Sequence, residues 1–113
     1  MRRPRVLWIG HKRWKVRYKR RMAPVRPKGK ATRYYVGDCD HERHRLTLAL
    51  NAPDPAHTML HEIVHAGWYE AGYKNHGERR IDTAVWAILE ALRGNPRLVD
   101  LLLDGIPSYR GRA

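Results

Sequence analysis

The hydrophobic residues of this chain change their spacing once, at Asp54, and that change limits the fold more than any other feature. Before it, Val6 to Ile9, Trp14 to Tyr18, Tyr34 to Val36 and Leu46 to Leu50 are short aromatic and branched runs parted by Gly- and Pro-containing stretches. That pattern predicts three or four antiparallel strands. In the last run Leu46, Leu48 and Leu50 alternate with Thr47 and Ala49, as in a strand with one buried face. The polar stretch from Asp38 to His44 before it reads as a loop. Residues 20–33 read as an exposed, mobile connection, because Pro24 and Pro27 withhold backbone donors.

After Asp54 the punctuation is helical. Asp54 is a good N-cap and Pro55 a good first residue for a helix that Gly72 can close. Asn75 with Glu78 three residues on has the form of a capping box, and Ile81, Val85, Ile88, Leu89 and Leu92 then recur at helical spacing until Gly94. Asn95 and Pro96 open a last short helix that ends before Gly105. Strands followed by helices predict one α+β domain over residues 1–113, with a basic strand region at 1–37 and a helical region at 54–104.

The bulk properties agree with a single folded unit. The chain has 113 residues, 42% of them hydrophobic, including four Trp and six Tyr, enough for a small core and too many for a disordered chain. The single cysteine, Cys39, excludes a disulfide framework and a cysteine-rich zinc module, and points to a reducing compartment, the cytoplasm. No apolar run approaches the roughly 20 residues of a membrane span, so no membrane partner is expected.

Charge is divided sharply. Residues 1–37 hold 14 Lys and Arg and no acid, whereas all 11 acids fall in residues 38–113. A segment of this kind attracts polyanions by counterion release, and Lys12, Arg13, Lys15, Arg17, Lys19, Arg20 and Arg21, interleaved with Trp14 and Tyr18, are candidate nucleic-acid contacts. The plainer reading is a strand whose solvent face carries Lys15, Arg17 and Lys19 and whose inner face carries Trp14, Val16 and Tyr18.

The helix opened by Asp54 contains His61-Glu62-Ile63-Val64-His65, an HExxH pattern. Residues four apart stand one turn above each other, so both imidazoles reach one metal while Glu62 sits beside them as general base. Zn2+ suits this arrangement, since it lowers the pKa of bound water toward about 7. A catalytic zinc takes three protein ligands. Glu78 is the leading third candidate, because it falls on the stripe of Ile81, Val85, Leu89 and Leu92 and is expected to point inward. His76, in the turn between helices, is the alternative ligand. Asp82, one turn after Glu78, is placed to accept a hydrogen bond from the outer nitrogen of a ligating histidine. Tyr73 and Tyr35 are candidate oxyanion donors, together with His76. His41 and His44 read as polar loop residues, and the spacing of His11 and His57 names no partner for them.

HExxH with the downstream Glu78-x-x-x-Asp82 resembles the gluzincin branch of zinc metallopeptidases. The run from Thr58 to Pro96, TMLHEIVHAGWYEAGYKNHGERRIDTAVWAILEALRGNP, after the strand region with YVGDCD, is similar to the minimal metallopeptidase-like proteins of phages and prophages. Those are close in size and layout to ImmA/IrrE-like peptidases. The resemblance implies a zincin-like fold, His61, His65 and Glu78 as zinc ligands, Glu62 as general base and a protein or peptide substrate. The SprT-like DNA-associated proteases are a second resemblance, in which the His76-Gly77 pair supplies the third ligand. The expectation is therefore a zinc metallopeptidase, with a nucleic-acid-binding protein or a non-catalytic zincin-fold module as alternatives.

Overall fold

The computed structural model describes residues 3–21, 24–25, 33–34, 36–74 and 77–104. Two strands open the chain, β1 (Val6–Ile9) and β2 (Lys12–Lys19). The two residues between them, Gly10 and His11, both take positive φ, 55° and 66°. That is the two-residue turn whose twist matches a strand pair. A two-stranded ribbon follows, β3 (Pro24–Val25) with β4 (Arg33–Tyr34), then β5 (Gly37–Asp40) and β6 (Arg45–Ala49). The main sheet has the order β1-β2-β6-β5.

Three expectations are corrected here. The sheet is mixed, because β2 and β6 run parallel, with Val16 beside Leu46 and Tyr18 beside Leu48. The long intervening segment, residues 20–44, lets the chain return to enter the sheet in the same direction, which a tight turn does not allow. Residues 37–40 are an edge strand rather than loop, paired antiparallel to β6 from Gly37–Leu48 to Asp40–Arg45, so the loop shrinks to residues 41–44. The connection of residues 20–33 carries β3 and the start of β4.

The alternation along β2 is as expected. Trp14 and Val16 are buried and Tyr18 half-buried, while Arg13, Lys15, Arg17 and Lys19 are exposed. Helix α1 (Pro55–Glu70) covers the inner face. There Ile9, Trp14, Val16, Leu46, Leu48 and Ala66 form one apolar cluster, with Met59, Ile63 and Tyr69 of α1 packed against it.

Both ends of α1 are defined by the sequence. Asp54 Oδ1 accepts the His57 backbone N–H at 3.2 Å, with Pro55 in the first helical position. At the other end Gly72 adopts φ +97°. The Tyr73 N–H reaches back to the Trp68 carbonyl at 2.9 Å and the Gly72 N–H to Tyr69 at 2.9 Å, a Schellman closure that needs a left-handed residue at that point.

Helix α2 (Glu78–Gly94) packs antiparallel on α1, and α3 (Pro96–Asp104) rests on α2. Ile81, Val85 and Leu89 meet Leu60 and Val64 of α1 in a second apolar cluster. Ile88 is exposed. The Arg93 guanidinium grips both Asp54 oxygens at 2.9 and 3.0 Å, tying the end of α2 to the start of α1. Gly77 is the N-cap of α2, so Glu78 is its first residue rather than the fourth member of a capping box. Among the described residues no helix is long and apolar enough to cross a membrane.

Candidate metal centre

An amphipathic helix of this length ordinarily buries a stripe of Leu and Ile. Helix α1 instead buries Thr58, Glu62 and His65 together with Ala66. Polar residues at core-facing positions violate the local pattern, and such violations concentrate where a protein does chemistry.

His61 and His65 stand one turn apart on the side of α1 that faces α2. Their Nε2 atoms lie 3.2 Å from each other. Glu78, at the first position of α2, spans both, with Oε2 at 2.9 Å from His61 Nε2 and Oε1 at 3.0 Å from His65 Nε2. Tetrahedral coordination with bonds of about 2.0–2.1 Å places neighbouring ligand atoms about 3.3 Å apart. The three groups therefore fit a single zinc-sized cation with only small adjustments. Burial draws the Glu78 carboxyl upward, but hydrogen bonds and charge from His61 and His65 outweigh it and hold the group below its ordinary range.

Glu78 differs from expectation in one respect. Its side chain is 72% exposed, because it extends the stripe of Ile81 and Val85 one turn beyond the packed part of the helix pair. It reaches the histidines from the rim of the cleft rather than from the core.

Asp82 occupies the position expected of it. Its Oδ1 lies 3.2 Å from His61 Nδ1, so with Nδ1 protonated the ring donates to the carboxylate and keeps Nε2 free to ligate. His57 approaches the same oxygen from the other side, with Nε2 3.0 Å away but off the hydrogen-bonding direction. The His57 ring stacks on Trp86 at 4.2 Å between centroids, 24° between planes. His57, His61 and Asp82 thus form a second group with cation-ligating spacing that shares His61 with the first. Sequence spacing names no partner for His57, because Asp82 and Trp86 come from α2, although His61 stands one turn along the same helix with ring centroids 6.1 Å away.

Glu62, beside the histidines, is only 6% exposed. Burial pushes its carboxyl up, the His61 imidazole opposes this, and Glu78 and Asp38 add to it; the outcome is a pKa of about 7. The cleft over this residue is lined by Val36, Gly37, Asp38 and Cys39 of the β5 side and by His57, His61, Glu62 and Glu78 of the helices, among others. At Gly37 the strand backbone passes so close to α1 that a Cβ there would stand 2.7 Å from Glu62 Oε2 and 2.8 Å from Thr58 Cγ2. A glycine is needed to bring strand and carboxylate together. Cys39, below the same cleft, is driven to about 12 by burial and by the charges of Glu62, Asp38 and Asp40, which leaves it a protonated, unreactive thiol.

Of the other candidates, Tyr73 is 65% exposed beyond the end of α1, beside Trp68, and does not line the cleft. Tyr35 and His76 lie outside the described residues. His41, read from sequence as a loop residue, lines the cleft and sits over Tyr69 with ring centroids 4.4 Å apart. Lys12, Arg13, Lys15, Arg17, Lys19, Arg20 and Arg21 are all exposed and none lines the cleft. Comparison of the chain with protein-family models, curated proteins and solved structures gave no significant match.

Proposed function

We propose that this protein is a metal-dependent peptide hydrolase in which His61, His65 and Glu78 hold Zn2+ and Glu62 is the general base. The observation that carries the reading is the meeting of His61, His65 and Glu78 within 3.2 Å beside a buried carboxylate. A zinc ion held there would supply Lewis acidity and an acidified water.

The remaining work falls to the chain's own side chains. Glu62 takes a proton from the attacking water and passes it to the leaving amine, a task for which a pKa near the working pH is best suited. Its near-complete burial also keeps bulk water from competing for that proton. Asp82 orients His61 through Nδ1, with His57 and Trp86 behind it.

The substrate side follows from the sheet. β5 is an edge strand whose only partner is β6 among the described residues. Its outer edge borders the cleft, so an extended peptide can add there by backbone hydrogen bonds, placing one of its peptide groups over Glu62. Gly37 keeps that approach clear of side chains.

Glu62→Gln tests the assignment. The variant should bind zinc as the parent does and lose cleavage of an unfolded protein substrate by at least about 100-fold, the usual range for a removed general base. Zinc-dependent proteolysis that survives the substitution would remove Glu62 from the mechanism. Zinc binding with no proteolysis in either protein would favour a non-catalytic binding module.

A further inference from the structure

A basic surface among the described residues takes no part in the metal centre. Arg13, Lys15, Arg17 and Lys19 are exposed and alternate along β2 with Trp14, Val16 and Tyr18, which pack toward α1. The four cations thus form a row on the opposite face of the sheet. The register gives this row its neighbours. Trp8, 60% exposed, pairs with Arg13; Val6 and Arg45 flank Lys15; the buried Thr47 lies beside Arg17 and the buried Ala49 beside Lys19.

Asp38 and Asp40 of β5 are separated from the row by β6, and Asp38 also lines the cleft. Asp40 is already engaged by Arg43 at 3.0 Å and Arg45 at 3.6 Å. Alternate residues of a strand stand about 6.6 Å apart, so the row is about 20 Å long. At the 3.4 Å rise of a stacked strand this matches about six nucleotides.

We propose that this outer face of the sheet binds single-stranded nucleic acid, with Arg13, Lys15, Arg17 and Lys19 following the phosphates and Trp8 stacking on a base. Charge complementarity selects a polyanion, and an exposed indole beside the cationic row selects one that presents flat aromatic rings. A duplex is the poorer fit, because its bases are already stacked on one another and do not present a free ring face to the exposed indole. The surface is separate from the cleft, so this binding does not depend on the hydrolase reading.

Fluorescence anisotropy of a labelled oligothymidylate with the full chain tests it. Binding at low salt should weaken with a log–log salt slope of about −3, from four phosphate contacts at about 0.7 each. Lys15→Gln and Arg17→Gln should each flatten the slope by about 0.7. Trp8 emission should be quenched, and Trp8→Ala should weaken binding roughly 5- to 150-fold, the share of one stacked base. Trp8→Leu, which keeps apolar bulk on the strand, should weaken it similarly and guards against a folding defect.

Absence of binding at about 50 mM salt, an unchanged slope in the Gln variants, or unaltered affinity in both Trp8 variants would overturn the proposal. So would tighter binding of a duplex of equal length, or displacement by polyglutamate at equal charge.

Discussion

Replacing Glu62 by glutamine should stabilise the metal-free protein at alkaline pH. The carboxyl is 6% exposed and held at about 7 instead of its ordinary 4.5, chiefly by burial. Between those two values the folded protein keeps a proton that the unfolded chain has lost, so stability falls as pH rises through this window. At 1.36 kcal/mol per pH unit the loss comes to about 3 kcal/mol, complete above pH about 8. An amide of the same shape carries no such penalty. Urea unfolding of parent and Glu62→Gln in a chelator, at several pH values, reads this contribution together with the coupling of Glu62 to His61, Glu78 and Asp38. The stability difference should move in the variant's favour by about 2.5 kcal/mol between pH 5 and pH 8, equivalent to about 10 °C in Tm for a domain of this size. A difference that stays constant across that range would show that Glu62 ionises freely, and the account of the buried base would fail with it.

Zinc at about 100 times its Kd should stabilise the protein by about 2.7 kcal/mol, or about 11 °C in a thermal-shift assay; His61→Ala, His65→Ala and Glu78→Gln should abolish the shift. Gly37→Ala places a Cβ 2.7 Å from Glu62 Oε2 and 2.8 Å from Thr58 Cγ2, and should cost about 1–3 kcal/mol by overpacking; adding Thr58→Ala should recover part of this in urea unfolding. Asp54 is pulled down to about 2 by its hydrogen bonds from Arg93 and the His57 N–H, with the charge of Arg93 behind them. Its contribution is therefore present above the ordinary carboxylate range and lost as pH falls from about 4 toward about 2. Asp54→Ala should accordingly lower Tm at neutral pH, with the gap from the parent closing as the solution is acidified.

Local patterns in the sequence located most elements because each rests on neighbours along the chain. Asp54, Pro55 and Gly72 bound α1 as their backbone chemistry requires, and the alternation of Trp14, Val16 and Tyr18 against Arg13, Lys15 and Arg17 survives in β2. HExxH was legible for the same reason, since both histidines lie on one helix. What was hidden depends on chain segments meeting from afar. Gly37 to Asp40 has little strand propensity and becomes a strand only because β6 offers it a partner. The parallel pairing of β2 with β6 has no local signature. Periodicity shows the stripe carrying Glu78 but not where the packing of that stripe ends, so it does not tell a rim position from an interior one. His57 acquires its role from Asp82 and Trp86, both on α2.

The apolar interior is divided into two clusters that share only α1. Residues 78–104 dock on that helix through Ile81, Val85 and Leu89, so they can detach as a unit while the sheet and α1 stay intact, and their amides should exchange with solvent first. The proposed ligand set is split the same way, two on the part that stays and one on the part that leaves. An excursion of α2 would strip Glu78 from the histidines without unravelling the molecule, so the rate at which a bound ion escapes would measure how often α2 and α3 come loose.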